Sequence, residues 1–140
     1  MDNTRSPPMN LVSDAPVHIS VPVHGRPVDV RLTHAARRAA ASLTSTLLVE
    51  MELYFSCLVR KRVLFRELEV AARRPAGTSH ITARLLLRFR PVVTRTCRIA
   101  DAGDEVPLTD MPVLHPERFV PPTLSIDYRR GQWLGEFHYD

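Results

Sequence analysis

Leu47-Leu48-Val49-Glu50-Met51-Glu52-Leu53-Tyr54-Phe55-Ser56-Cys57-Leu58-Val59-Arg60-Lys61-Arg62-Val63-Leu64-Phe65 is the stretch that decides the fold. Its odd positions are apolar throughout, interrupted only by Lys61. Side chains alternate between the two faces of a β-strand, so a period of two predicts strand with one buried face. A second stretch repeats the pattern: Ile81, Ala83, Leu85, Leu87, Phe89, Val93, Cys97 and Ile99, with Pro91 and Arg95 as exceptions. Both are longer than the roughly 3–10 residues of an ordinary strand, so each is expected to bend or bulge. Pro91 marks one such place, because it cannot donate to a central ladder. The simplest connection pairs the two stretches as an antiparallel hairpin, with Arg62 opposite Arg84 and Leu58 opposite Arg88.

Shorter elements lie on either side. Val17, Ile19, Val21 and Val23 alternate with polar residues, and Val28, Val30 and Leu32 do so again after a Gly25-Arg26-Pro27 turn. This predicts a hairpin whose first strand, carrying Pro22, lies at a sheet edge. Thr33 is placed to cap a short helix in which Ala35, Ala36, Ala39, Ala40 and Leu43 follow helical spacing, with Arg37 and Arg38 on another side. Residues 100–122 read as proline-rich loop. A second hairpin closes the chain, with Leu124, Ile126 and Tyr128 before an Arg130-Gly131 turn and Trp133, Phe137 and Tyr139 after it. The fold class expected is α+β: a mainly antiparallel sheet of about five or six strands with one short helix packed on it. Residues 1–15 are expected to form a flexible N-terminal arm. Residues 16–140 are expected to form one domain, large enough to bury a core without metal or disulfide.

The bulk composition is that of an ordinary globular chain, 44% hydrophobic and 24% charged. The net charge of +4 conceals an imbalance. Residues 25–98 carry fifteen basic and five acidic side chains, whereas residues 99–140 carry three and eight. With a polar start and no apolar core no secretory leader is expected, and the longest charge-free apolar-leaning run, Ala39–Val49, is too short for a membrane helix of about 20 residues. A cytoplasmic protein is expected, with Cys57 and Cys97 as reduced, unbridged core residues.

The polar faces of the two long stretches supply the candidate contact surface. Tyr54, Arg60, Arg62, Arg66, Arg84, Arg88 and Arg90 fall together there. Like charges so close require compensation. Three sources are available: the acidic residues Asp101, Asp104, Glu105 and Asp110 of this chain or a second copy, an acidic protein partner, or a nucleic-acid backbone. Leu58, Leu64, Leu86 and Val92 on the same face favour a covered surface. Tyr54 is its one aromatic, a poor stacking platform for single strands. The partner expected is therefore a second copy or an acidic protein, with nucleic acid behind them and no membrane.

Little points to catalysis. No phosphate-binding glycine loop, nucleophile elbow or zinc-protease motif occurs, and the histidines and cysteines lack metal-ligand spacing. No metal or cofactor is expected. Glu50 and Glu52 could serve as acid and base, but alternation alone accounts for them. On that reading Phe55→Asp unfolds the protein and Glu52→Ala hardly matters. Trp133, Phe137 and Tyr139 are read as core closing the sheet rather than as a ligand platform. The function expected is a non-catalytic binding or assembly module acting through protein–protein contact as a homo-oligomer. A small-molecule-binding protein or small enzyme with its site in a sheet concavity is the alternative.

Overall fold

A computed structural model describes residues 16–55, 59–69, 74–93 and 115–139. The chain is mostly strand with one short helix. The elements are β1 (Val17–Val23), β2 (Arg26–Leu32), α1 (His34–Ala41), β3 (Leu47–Phe55), β4 (Val59–Glu67), β5 (Ser79–Thr82), β6 (Leu85–Val93), β7 (Thr123–Arg129) and β8 (Gln132–His138). A 3₁₀ turn, Pro116–Phe119, precedes β7.

The expected single antiparallel sheet is replaced by two four-stranded mixed sheets. One has the order β1-β2-β7-β8 and the other β4-β3-β6-β5. Each is two antiparallel hairpins set side by side, with a parallel pair at the centre: β2 with β7, and β3 with β6. The long stretch quoted above is therefore itself a hairpin, β3 against β4, with Glu52 opposite Arg62 and Phe55 opposite Val59. The second long stretch breaks at the Ala83-Arg84 turn into β5 and β6. Arg62 does not face Arg84, and Arg88 lies beside Glu50. The alternation pattern identifies faces, not partners. A strand period carries no information about where a turn cuts it or whether its neighbour runs parallel.

The faces themselves are as the alternation requires. In both new pairings an even-numbered residue sits beside an even-numbered one, so the odd face stays common to β3, β4 and β6. Leu47, Val49, Met51, Leu53, Leu85, Leu87 and Phe89 form the inner face of the second sheet. They pack on Val21, Val23, Val28, Val30, Leu32, Leu124, Ile126 and Phe137 of the first. Edge strand β1 touches β5 and edge strand β8 touches β4, so the sheets stack as a sandwich. Val59 departs from the pattern, being two-thirds exposed at the end of β4.

Pro91 does not break β6. It lies beside Leu53 of β3, and β5 pairs with β6 only as far as Leu87. Among the described residues that end of β6 has one neighbour, so the missing N–H leaves no gap in the ladder. Lys61, the exception in the first stretch, also has a role. Its Nζ donates to the Phe137 carbonyl at 3.0 Å and lies 5.6 Å from the Phe137 ring centre, tying β4 to β8. Trp133 stacks on Phe65 at 5.7 Å and meets Tyr128 edge-on at 4.8 Å, so two of the C-terminal aromatics, with Phe137, serve the core. Tyr139 lies at the surface.

The helix is capped as expected. The Thr33 hydroxyl accepts from the Ala36 amide at 3.1 Å and donates to Asp127 Oδ1 at 2.7 Å, joining the start of α1 to β7. Thr33→Ala is expected to lower stability by about 1 kcal/mol, read from urea melts. Asp127 also accepts from the Tyr128 amide and pairs with Arg129. The Thr33 hydroxyl, with smaller help from these two, outweighs burial and holds its carboxyl below the usual range. A carboxyl depressed in the folded state adds stability above its unfolded pKa and loses it as pH falls through the folded one. Asp127→Asn should therefore flatten the acid limb of a plot of Tm against pH. An unchanged acid limb would remove Asp127 from the acid response.

Several expectations fall outside the described residues. They are the arm 1–15, Cys57 and Cys97 with the question of a bridge between them, Leu58, and the acidic residues Asp101, Asp104, Glu105 and Asp110. No helix among the described residues is long and apolar enough to cross a membrane.

Candidate functional site: an arginine face on two buried glutamates

The even-numbered residues of β3, β4 and β6 make the outer face of the second sheet. Along β3, its second strand, run Leu48, Glu50, Glu52 and Tyr54. On one side stand Arg66, Leu64, Arg62 and Arg60 of β4, and on the other Leu86, Arg88, Arg90 and Val92 of β6. Period two puts these residues on one face, and the strand register sets which stand side by side. The E-x-E of β3 lies in register with the R-x-R of β6, while on β4 Arg62 stands opposite Glu52 and Arg66, opposite Leu48, reaches Glu50 diagonally.

Both glutamates are buried, at 1% and 3% exposure. A buried carboxylate is tolerated when its charge and lone pairs are met. Glu50 Oε1 pairs with Arg66 Nη2 at 3.2 Å, and its Oε2 with Arg88 Nη1 at 3.1 Å and Arg90 Nη1 at 3.9 Å. Glu52 Oε1 accepts from Arg62 Nη2 at 2.8 Å and Arg62 Nε at 3.1 Å, while its Oε2 accepts from Arg90 Nη1 at 2.9 Å. The Tyr54 hydroxyl donates to Glu52 Oε1 at 2.6 Å. Burial first, and this bond to a carboxylate second, push the Tyr54 hydroxyl up to about 12, so it stays a donor at neutral pH. Arg62 also lies 5.2 Å from the Tyr54 ring centre.

Six of the seven residues expected at the contact surface are thus brought together: Tyr54, Arg60, Arg62, Arg66, Arg88 and Arg90. Arg84 is not. It lies in the β5–β6 turn, where its Nη1 donates to the Thr44 carbonyl at 2.9 Å. The partners that sequence reasoning missed are Glu50 and Glu52. The compensation it sought elsewhere comes first from the adjacent strand. Glu52 is therefore no neutral position on a solvated face, and Glu52→Ala is expected to destabilise the fold. The matched spacing of E-x-E and R-x-R was the signal available, but it becomes readable only once β3 is known to lie between β4 and β6.

Compensation is partial. Four arginines share two carboxylates, leaving two net positive charges, and Arg60, beside Tyr54, has no ion pair among the described residues. Arg62 and Arg66 are about half exposed, while Arg88 and Arg90 are three-quarters covered. A cavity of about 450 Å³ opens beside them, lined by Arg62, Arg66, Arg90, Leu64 and Val92 above the glutamates. Leu48, Leu86 and Val92 are buried on this face although they stand apart from the inter-sheet core.

Chemically the arrangement presents fixed guanidinium donors. All four carboxylate oxygens here are engaged by guanidinium groups or the Tyr54 hydroxyl. Among the described residues no three His, Cys, Asp or Glu side chains converge as metal ligands. Comparisons with protein-family models, with curated proteins and with solved structures return no match.

Proposed function

We propose that this protein is a non-catalytic binding and assembly module whose partner is an acidic protein segment, held on the outer face of the second sheet. The supporting observation is the surplus of positive charge in a fixed frame. Buried Glu50 and Glu52 hold four guanidinium groups in place and neutralise only half their charge. An arginine already held in position loses less rotamer freedom when it binds, so more of its pairing energy appears as affinity. A second copy of this chain could supply the acidic segment from Asp101, Asp104, Glu105 and Asp110, which makes a homo-oligomer one form of the same contact. The enzyme reading has less behind it, because the two carboxylates are occupied by their arginines.

Arg60 offers the cleanest test, since among the described residues no ion pair ties it to the fold. A fluorescein-labelled Asp/Glu-rich peptide should bind the wild type in an anisotropy titration and weaken as salt rises. Arg60→Glu should leave the thermal melt unchanged and weaken that binding several-fold. Light scattering at low and high salt should show any self-association weakening in the same way. No peptide binding, or preference for duplex DNA over the peptide, would overturn the proposal.

A further inference from the structure

A second basic cluster lies at one end of the same sheet, where the strand ends of β3, β4, β5 and β6 meet. Ser45 and Thr46 lead into β3, Glu69 follows β4, His80 is on β5, and Arg84 forms the turn into β6. With Arg74 they line a cavity of about 320 Å³. Backbone bonds join the strand ends here. The Leu47 amide donates to the Arg84 carbonyl at 2.8 Å, and the Leu68 amide to the Thr46 carbonyl at 2.9 Å.

The donors around this cavity have an unusual balance. His80 Nδ1 lies 3.2 Å from the Thr82 carbonyl, an acceptor only, so Nδ1 carries the proton there. Its Nε2 is then left as an acceptor, and Arg74 Nη1 lies 3.0 Å from it. A guanidinium cannot accept, so this contact needs a neutral imidazole. Arg74 thus rests on an uncharged ring. Arg84 rests on the neutral Thr44 carbonyl at 2.9 Å. Neither has an ion pair among the described residues, in contrast to the arginines on Glu50 and Glu52. Glu69 is the one carboxylate in the lining.

From this geometry we infer an oxyanion site that takes a phosphate group, as inorganic phosphate or as a phosphate monoester. Two unneutralised guanidinium groups and two hydroxyls match the several acceptor oxygens and the charge of a phosphoryl group. The weak neutral partners of Arg74 and Arg84 are easily exchanged for an anion, since charge-assisted hydrogen bonds are about twice as strong as neutral ones. The inference does not depend on the acidic-peptide reading, because it uses none of the arginines held by Glu50 and Glu52.

The test follows the imidazole resonances by NMR during titration with inorganic phosphate and, separately, with O-phosphoserine, each against chloride at matched ionic strength. Saturable shifts are expected at His80 and not at His18 or His138. Arg74 is exposed and can be changed without disturbing the core. Arg74→Gln should weaken the phosphate response about tenfold or abolish it, while leaving the melt and the acidic-peptide titration as in the wild type. Tighter binding of O-phosphoserine would identify the ligand as a phosphate carried on a larger molecule, and tighter binding of inorganic phosphate would identify the free ion. The site does not exist if His80 gives no saturable shift with either ligand, or if Arg74→Gln responds like the wild type.

Discussion

Glu50→Ala is expected to destabilise the protein by about 3–5 kcal/mol, the range for removing one partner of a buried ion pair. The lost carboxylate is 1% exposed and holds Arg66, Arg88 and, at longer range, Arg90. Without it Arg88 and Arg90, already three-quarters covered, face each other with only Glu52 to share. Exposed ion pairs give about 0–1 kcal/mol, so the size of the effect reports burial and not merely charge. Urea melts should show a fall in midpoint at unchanged slope. The companion double variant Glu50→Leu with Arg88→Leu should recover much of the loss, since a well-packed apolar pair can replace a buried ionic one. A single variant within about 0.5 kcal/mol of the wild type would mean that Glu50 reaches water.

Gly135→Val is expected to cost about 1–3 kcal/mol by overpacking. Gly135 lies on β8 between Trp133 and Phe137, facing β4. A Cβ placed there would stand 2.7 Å from Val63 Cγ1 and 3.0 Å from the Phe65 ring. Neither neighbour can move freely, because Phe65 is stacked on Trp133 and both side chains pack against the core. The glycine is thus required by the close approach of two sheets, not by a turn. Thermal melts of Gly135→Ala and Gly135→Val should fall in that order. If Val63→Ala restored most of the loss in Gly135→Val, the clash would be located at that contact. Equal stability of all variants would show that β8 stands further from β4.

These two sites mark how far the sequence could be read. Gly135 sits in an alternating strand, where the pattern allows any small residue. Its clash belongs to a sheet-on-sheet distance that no local signal carries. Glu50 and Glu52 were visible as the polar half of a strand. What was hidden was that both sides of β3 are occupied by arginine-bearing strands. Burial of Met51, Leu87 and Phe137, the Thr33 cap and both terminal hairpins were legible, because each follows from period, capping chemistry or a turn within a few residues. Strand partnership was not. The β3–β6 and β2–β7 pairs join residues far apart in the chain, and period two is the same for parallel and antiparallel neighbours. The arginine face remained readable despite the wrong partner, since the β3–β4 and β3–β6 pairings both keep even beside even.

The parallel contact between β2 and β7 has a consequence for how the chain is made. Asp29 to Leu32 pair with Thr123 to Ile126, so the β1–β2 hairpin waits for the β7–β8 hairpin before its sheet exists. Until then the edge of β2 is an open template, with Val28, Val30 and Leu32 uncovered on one side. Closing so long a loop is slow, and the exposed edge is where a growing chain is most prone to stick to its neighbours. The middle of the chain escapes this, because β3 to β6 can complete their own sheet while the C-terminal hairpin is still being synthesised. Vectorial synthesis therefore divides this sandwich into a half that assembles early and a half whose two hairpins join only once β7 and β8 have been made.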